Sequence, residues 1–204
     1  MISDKRASTD YPVHELLAAR WSPYAFQDRP VPEVDLLSVF EAARWAASSF
    51  NEQPWTYLVA TKENPEQFQQ LLSCLIEFNQ VWAKAAPVLA LGIVSLRFAR
   101  NGETNRAAVH DLGLAAGNLL VEATARGLYV HQMLGILPDK ARQLFAIPDG
   151  YEAWTGLAIG YQGDPTTLPD RLQERERLPR QRKPLSQFVF GGKWGHPSPF
   201  VLKR

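Results

Sequence analysis

The feature that most constrains this chain is an uninterrupted apolar run, VLALGIVS, at Val88–Ser95. Its length suits one strand of a sheet and is too short for an average helix. A strand that lacks alternating polar residues must be covered on both of its faces. The run therefore predicts a sheet with helices packed on both sides of it.

Proline and glycine divide the rest of the chain into short segments that alternate between strand and helix patterns. Three further strands are predicted at Trp55–Thr61, 128–133 and 154–161. Gly127 is a natural end for the longest helix, and helices are predicted at 10–19, 32–47, 64–74, 105–126 and Pro138–Phe145. Strands separated by helices indicate a layered α/β or α+β fold, here in a single domain spanning 1–204.

Composition and charge exclude several classes of protein. The hydrophobic share is 46% and the net charge is +1 over 204 residues, so the chain is neither disordered nor globally attractive to nucleic acid or a membrane surface. No apolar run reaches the roughly 18 residues that a spanning helix requires. The single cysteine, Cys74, excludes an intramolecular disulfide and, with no secretory signal at the start, favours a cytoplasmic protein.

The tail, 165–204, differs from the rest of the chain. Its basic residues outnumber its acidic ones between positions 170 and 183, which is typical of a solvated, loosely held surface segment. Aromatic residues follow at once, and a disordered tail rarely carries so many: Phe188, Phe190 and Trp194. We therefore expect an extended C-terminal arm that packs onto another surface.

Several common catalytic patterns are absent from the sequence. No G-x-G-x-x-G follows a strand, so a Rossmann nicotinamide domain is unsupported, and Gly191-Gly192-Lys193 lacks the rest of a P-loop. The histidines are too far apart in the sequence to indicate a zinc site: His14, His110, His131 and His196. His110 and Asp111 are adjacent, but neighbouring helical positions point about 100° apart, so they do not form a base and its orienting partner.

Two polar stretches contain side chains suited to binding a ligand. Arg20-Trp21-Ser22 ends the first predicted helix, and a guanidinium with a nearby hydroxyl suits a phosphate group. SSFNEQPW at 48–55 joins the second helix to the first strand and offers donors and acceptors to a flat heteroaromatic edge. Structural interpretations stay open, since Arg20 can cap a helix, Asn51 can form a turn and Trp55 can belong to the core.

Together the two stretches resemble the FMN-dependent nitroreductase family, in which R-x-S is followed by P-S-x-x-N-x-Q-P-W. Ala47 replaces the first proline of that pattern here. The resemblance continues through Met133-Leu134-Gly135-Ile136, Ile147-Pro148 and RQRKPL at 180–185, and it covers 11–190. It implies an α+β fold with a central, mostly antiparallel sheet flanked by helices, and with the C-terminal arm exchanged in a homodimer.

The resemblance also implies an FMN site at the subunit interface, without a catalytic side chain or a metal ligand. The arginines and Ser22 would hold the phosphate and flavin side, and the 48–53 residues would reach in from the partner subunit. Asn79 would touch the ring, and the Leu134-Gly135 peptide would offer an N–H near flavin N5. The implied cofactor-binding positions are Arg20, Trp21, Ser22, Tyr24, Ser48, Ser49, Asn51, Gln53, Asn79, Leu134, Gly135, Arg180 and Arg182.

Two of these positions depart from the family pattern. Tyr24 stands where many members have a lysine beside the flavin N1/O2 edge, and Leu134 stands where many have a glutamate. Because that edge becomes anionic on reduction, loss of the lysine lowers the flavin potential unless Arg20 compensates. Both departures bear on substrate choice more than on cofactor binding.

As a family member, the chain would take hydride from NADH or NADPH and reduce nitroaromatics or quinones by a ping-pong mechanism. The short loop at 96–104 predicts a shallow, open site with Phe50, Phe98 and Trp82 nearest the acceptor, core packing being the favoured role of Trp82. The alternatives are another flavin reaction on the same scaffold (dehalogenation, enone reduction or flavin fragmentation), a low-turnover flavin-binding redox sensor, and a generic interaction domain.

Overall fold

The computed structural model describes residues 5–202. Its strands are β1 (Trp55–Thr61), β2 (Val88–Ser95), β3 (Tyr129–Met133) and β4 (Tyr151–Gly160). Its helices are α1 (Glu15–Ala19), α2 (Glu33–Arg44), α3 (Pro65–Leu72), α4 (Glu77–Ala83), α5 (Ala108–Ala125), α6 (Pro138–Phe145), α7 (Asp170–Arg177) and α8 (Pro199–Leu202). Over this range, no helix combines the length and hydropathy needed to cross a membrane.

The strands form one antiparallel sheet in the order β1-β2-β4-β3. One row of paired residues crosses the sheet from Leu58 through Leu91 and Gly156 to Met133. The register between β2 and β4 shifts after Gly92, and an irregularity of this kind increases the local twist. The arrangement confirms the α+β fold with a central antiparallel sheet.

β2 is buried on both faces, as its uninterrupted apolar sequence predicts. Leu89 and Leu91 belong to a core cluster that includes residues of α3, α4, α6 and α7. Val88 and Ala90 belong to a second cluster, which they share with α2 and α5. Because successive residues of a strand point to opposite faces, the two clusters lie on opposite sides of the sheet. Helices therefore cover both faces.

Element boundaries match the prediction best where proline or glycine marks them. β1 follows Pro54, β2 follows Pro87, and α6 begins at Pro138, and all three have their predicted bounds. α5 ends close to Gly127, whose φ of 70° gives the left-handed conformation that commonly terminates helices. Local sequence chemistry was sufficient at these positions.

Other boundaries differ from the prediction for identifiable reasons. α1 begins later than position 10, because His14 Nδ1 accepts the Leu16 N–H at 3.2 Å and caps the helix. α2 ends at Arg44, and β4 begins earlier than predicted, at Tyr151. α4 and α7 were not predicted, since α4 spans seven residues and α7, DRLQERER, contains one apolar residue, Leu172.

The tail does not begin as an extended arm. α7 packs Leu172 and Glu176 against the body of its own chain, where both are buried. Farther along, Phe190 pairs with Pro197 in a small hairpin. Apolar side chains in this last part are exposed, with Trp194 at 92%: Phe188, Trp194, Phe200 and Leu202. Exchange of this part between subunits stays a prediction.

Candidate functional site

Three arginine side chains come together where α1 ends. Arg20 follows the helix, and its Nη1 donates to Ser22 Oγ at 3.3 Å. Burial lowers the pKa of Arg20, and the nearby charges of Arg180 and Arg182 lower it further. Since like charges repel, such an approach favours a compensating anion. We call Arg20, Arg180 and Arg182 the cationic cluster.

No carboxylate in the described part of the chain forms an ion pair with the cationic cluster. Arg180 Nη1 donates to the carbonyls of Lys5 at 2.7 Å and Ala18 at 2.9 Å, which fixes its position beside α1. Arg182 Nη1 donates to the adjacent carbonyl of Gln181, a local bond that leaves most of its guanidinium donors available. The cluster therefore has the charge and the donors to bind a phosphate dianion.

A groove of about 780 Å³ lies beside the cluster. Arg180, Arg182 and Lys183 contribute to its tail side, and residues 7–11 with Val13 line the other side. Small-molecule sites have volumes of about 300–1,000 Å³. The cluster therefore borders a space that can accept a small organic ligand.

The N-terminal segment closes over the same region. Lys5 is buried, and its Nζ donates to the Leu178 carbonyl at 2.7 Å and lies 5.5 Å from the Trp21 ring centroid. The Trp21 ring also packs edge-on against Tyr129, with centroids 6.2 Å apart. Trp21, between the two phosphate-site candidates, thus makes packing contacts inside the chain.

Buried Glu176 and half-buried His131 hold the loop that follows α1. Glu176 Oε1 accepts the backbone N–H groups of Tyr24 at 2.5 Å and Ala25 at 3.1 Å. Burial raises the pKa of Glu176, and these two donors offset part of the rise. His131 Nδ1 lies 2.8 Å from the Pro23 carbonyl, and burial lowers the pKa of His131. A neutral His131 that donates its Nδ1 proton supports the loop as a packing residue.

The Tyr24 ring belongs to an aromatic cluster under this loop. Its centroid lies 5.2 Å from that of Trp82 and 4.7 Å from that of His131. Trp82 is 1% exposed, so its placement near the acceptor is wrong and its core role is correct. At the other end of Tyr24, the hydroxyl accepts a hydrogen bond from Arg175 Nη1 at 3.4 Å.

The peptide after β3 forms a second part of the candidate site. The Gly135 carbonyl accepts the Ile76 N–H at 3.0 Å and Asn79 Nδ2 at 2.9 Å. A Cβ on Gly135 would lie 2.5 Å from Asn79 Nδ2, so only glycine fits without displacement. The Gly135 N–H donates to no acceptor among residues 5–202, and neighbouring Leu134 is 74% exposed. Asn79 thus holds the carbonyl of Gly135, a residue whose own N–H, on the preceding peptide, is available to a ligand.

The loop at 48–54, which we call the strained loop, has positive φ angles at three residues other than glycine: Phe50 at 55°, Asn51 at 56° and Gln53 at 50°. Its polar groups bind one another. Ser48 Oγ accepts the Gln53 N–H at 3.0 Å, and Gln53 Nε2 donates to the Asn51 carbonyl at 3.1 Å. Backbone strain is concentrated at functional sites, which favours a functional role for this loop.

Sequence reasoning missed Asp111 as part of the site's support. This residue of α5 is 2% exposed, and its Oδ2 accepts the Ser49 N–H at 3.0 Å. His110 is exposed, so the two neighbours point apart as predicted. Asp111 shares its helix face with buried Ala108 and Ala115. A carboxylate on an otherwise apolar face was the signal that could have identified it.

The short loop between β2 and α5 is a hairpin, closed by the pairing of Arg97 with Thr104. It packs Phe98 edge-on against Phe50, with centroids 5.8 Å apart, and the Arg100 guanidinium lies 4.3 Å from the Phe50 centroid. Phe50 is 72% exposed. The two phenylalanines predicted to lie near the acceptor are therefore in contact, in an aromatic pair that solvent can reach.

These parts fit a flat cofactor with one phosphate. The cationic cluster, which forms no ion pair with a carboxylate within 5–202, suits a phosphate, and the available Gly135 N–H suits an acceptor atom on a heteroaromatic ring. No group of three or more His, Cys, Asp or Glu side chains within 5–202 is arranged to hold a metal ion.

The chain belongs to the nitroreductase family, because residues 17–161 match the family model of that description. It is similar to a crystal structure of an oxidoreductase containing FMN, with 37% identity, a TM-score of 0.87 and coverage of 94% of this chain and 97% of the other. The major NAD(P)H-flavin oxidoreductase of Aliivibrio fischeri is 26% identical over 188 residues, 73% of this chain and 86% of that protein. A nitroreductase family protein of Clostridium difficile shares the fold, with 24% identity, a TM-score of 0.68 and coverage of 87% and 96%.

Proposed function

We propose that this protein is an FMN-dependent oxidoreductase that accepts hydride from NADH or NADPH and reduces small electrophiles such as nitroaromatics and quinones. The observation that carries the proposal is the cationic cluster, three arginines that approach one another with no carboxylate partner in the described part of the chain. A terminal phosphate would compensate this charge.

The same observation favours FMN over FAD. FMN ends in a phosphate monoester, which suits a cluster of guanidinium groups, whereas FAD carries a pyrophosphate that proteins commonly bind with a glycine-rich turn. The sequence has no G-x-G-x-x-G after a strand. The structural relative that contains FMN supports the same choice.

The chain's own residues would bind and orient the cofactor. Arg20 and Arg182 would hold the phosphate, Arg180 would add charge while it fixes the N-terminal segment, and the Gly135 N–H would bind the ring near N5. When bound, FMN supplies the hydride chemistry, so no side chain needs to act as a nucleophile. The protein contributes position and electrostatic stabilisation.

The aromatic pair Phe50–Phe98 would form the surface on which a flat acceptor stacks. The hairpin that carries Phe98 is too short to enclose a substrate, so it contributes little of the differential binding that separates one acceptor from another. Nicotinamide and acceptor would therefore use one open site in turn, in a ping-pong sequence. Rates should follow the acceptor's reduction potential more than its shape.

A homodimer would complete this site. Exposed apolar side chains in the last part of the tail need a surface to cover, and Trp194 at 92% exposure is the largest of them. The strained loop would then contribute to the cofactor site of the partner. A chain ending at Gln187 keeps α7 and the cationic cluster, so sedimentation should show a weakened dimer, and an unchanged dimer would contradict the exchanged arm.

Cofactor identity and reduction test the main proposal. Protein supplemented with flavin and then freed of excess should carry one FMN per chain after acid release. Anaerobic NADH or NADPH should bleach its visible absorbance rapidly, and a quinone or nitroaromatic should restore it. Slow bleaching would indicate a flavin-binding sensor. Release of FAD, or no flavin after supplementation, would refute the proposal.

A further inference from the structure

The hairpin between β2 and α5 is fixed to the strained loop by three contacts. The Glu52 carboxylate accepts the Ala99 N–H at 2.6 Å, and Phe98 packs edge-on against Phe50. The Arg100 guanidinium lies 4.3 Å from the Phe50 centroid and 5.1 Å from the Phe98 centroid. Arg100 therefore places a positive charge against both rings of the aromatic pair that the proposed function assigns to the acceptor.

The charge of Arg100 has no ion-pair partner among residues 5–202. Glu52 is the carboxylate that binds the hairpin next to it, but Glu52 accepts from the Ala99 backbone and forms no ion pair with Arg100. Contact with an aromatic ring orients a guanidinium without neutralising it. Since Arg100 is also exposed, its N–H donors are available to an anion that arrives from solvent.

A flat acceptor that stacks on the aromatic pair meets this charge directly. Its ring would lie against Phe50 or Phe98, so its substituents come within reach of a guanidinium that contacts both. A carboxylate takes two parallel hydrogen bonds from a guanidinium, an interaction stronger than an exposed cation–π contact. Arg100 therefore gains from an acceptor that carries a carboxylate, and gains nothing from a neutral acceptor of the same shape.

We propose that Arg100 is a specificity-determining residue that favours acceptors bearing a carboxylate, such as nitroaromatic acids; this inference rests on the proposed function. Arg100 binds the carboxylate and orients the ring on the aromatic pair. It takes no part in the transfer of electrons or protons. Because Arg100 contacts the strained loop, it serves the same cofactor site as that loop. An open site that selects little by shape thus selects by charge.

Arg97 provides a matched control. It lies on the same hairpin, but its Nη1 donates to the Gly102 carbonyl at 2.9 Å, and within the described range its guanidinium lies over neither Phe50 nor Phe98. Arg97→Gln and Arg100→Gln remove the same charge from one short hairpin. A difference between them therefore reports the guanidinium at the aromatic pair rather than the loss of one positive charge nearby.

The first measurement is the reoxidation of reduced holoprotein by para-nitrobenzoate and by para-nitrobenzamide. The flavin is photoreduced without oxygen, so that no nicotinamide nucleotide competes for the site, and each acceptor is then added by stopped flow. Arg100→Gln should lower the ratio of the benzoate rate constant to the benzamide rate constant about fivefold, the size expected for one exposed ion pair. Arg100→Lys should lower this ratio less, and Arg97→Gln should keep the wild-type ratio. Comparing ratios cancels the reduction potential of each acceptor.

The second measurement involves no electron transfer. Benzoate and benzamide, which cannot be reduced here, are titrated against oxidised holoprotein, and the flavin absorbance reports their dissociation constants. The ratio of the two constants should change in Arg100→Gln by the same factor and in the same direction as the ratio of rates. Agreement of the two measurements assigns the effect to binding of the carboxylate.

An unchanged ratio in Arg100→Gln, or an equal fall in Arg97→Gln, would overturn the inference while the proposed function stands. Equal losses for the charged and the neutral acceptor would show that Arg100 supports the site without recognising charge, and would also overturn it. If the wild type binds no FMN, or if neither acceptor reoxidises its reduced flavin, the proposed function itself fails. These outcomes are distinguishable in one set of samples.

Discussion

The cationic cluster and the strained loop are both polar and both match one family pattern, but their polar groups are used in opposite ways. In the cluster, Arg20 and Arg182 bring charge together without a carboxylate partner in the described chain. In the loop, Ser48 and Gln53 bind the loop itself. The cluster thus has donors available for a ligand, whereas two polar side chains of the loop stabilise its own strained backbone.

The difference indicates a division of labour. An uncompensated group of charges gains most from a ligand, so affinity for the phosphate should reside in the cluster. The loop's backbone is already fixed by bonds within it and by bonds to Asp111 and Ala99, so its main contribution should be shape. Changes in the cluster should therefore alter binding with little effect on folding, whereas changes in the loop should alter the free energy of unfolding as well.

Arg20→Ala should produce the largest effect. It removes a half-buried, charge-assisted contact to the phosphate, so FMN binding should weaken by about 2–4 kcal/mol. Arg182→Ala should act in the same direction and less strongly, because its guanidinium is more exposed. Fluorescence titration of apoprotein with FMN measures both, and Arg29→Ala, which removes an exposed arginine stacked on Tyr161, is the control. Wild-type affinity in Arg20→Ala would show that the phosphate binds elsewhere.

Asp111→Ala tests the support of the strained loop. The change leaves the Ser49 N–H without its carboxylate acceptor, so the free energy of unfolding should fall by about 1–3 kcal/mol. FMN affinity should fall less than in Arg20→Ala. Denaturant unfolding of apoprotein measures the first quantity, with exposed His110→Gln as the neighbouring control. If Asp111→Ala loses more free energy of FMN binding than of unfolding, the loop and the cluster do not differ in the way proposed.

Gln53→Gly should have a smaller effect of the opposite sign. Glycine adopts the φ of 50° without the side-chain clash, and relief of about 1–2 kcal/mol less the entropy cost of glycine leaves a gain below about 1 kcal/mol. FMN binding should weaken if Gln53 contacts the cofactor. Gln53→Ala is the control, because alanine also removes the Gln53 side chain but keeps the cost of a positive φ. Equal destabilisation of both variants would show that the positive φ stores no strain.

The smallest effect concerns pH and the loop that carries Tyr24. Because burial lowers the pKa of His131 below the ordinary 6.5, the unfolded chain takes up a proton there before the folded chain does. Stability should therefore fall as the pH drops from 6.5 toward the folded-state pKa, and be fully present above 6.5. His131→Asn keeps a donor for the Pro23 carbonyl but cannot titrate. The free energy of unfolding of this variant should therefore not show the loss below pH 6.5 that His131 causes. If the variant's stability depends on pH as that of the wild type does, groups other than His131 cause the dependence.

Much of the fold was readable from the sequence, because its signals are local. Proline before β1 and β2 and at the start of α6 marks where these elements begin, and the apolar run of β2 predicts cover on both faces. The antiparallel arrangement of the strands could not be predicted from local sequence signals. It came from the family resemblance, since an uninterrupted apolar strand is equally typical of a parallel sheet.

The candidate site was predictable only where residues fall in a motif. R-x-S and the 48–55 stretch are contiguous, so their chemistry can be recognised before folding. The contact of Tyr24 with Arg175 joins positions 151 residues apart, and the buried carboxylate of Asp111 is 62 residues from Ser49. Nothing in the local sequence specifies such pairs. Exposed Phe50 was predicted to lie near the acceptor, but its contact with Phe98 could be found only from the fold.

The bonds between Lys5 and the segment 178–180 have a consequence for the order of folding. Lys5 bonds to Leu178 and Arg180 bonds to Lys5, across separations of 173 and 175 residues. Closing so long a loop is slow and entropically costly, while β1 to β4 are complete by Gly160. A chain synthesised at about 5–20 residues per second can therefore collapse its sheet on the ribosome before the tail emerges. The proposed phosphate site would therefore form late, once the segment that carries Arg180 has been synthesised and can bond to Lys5.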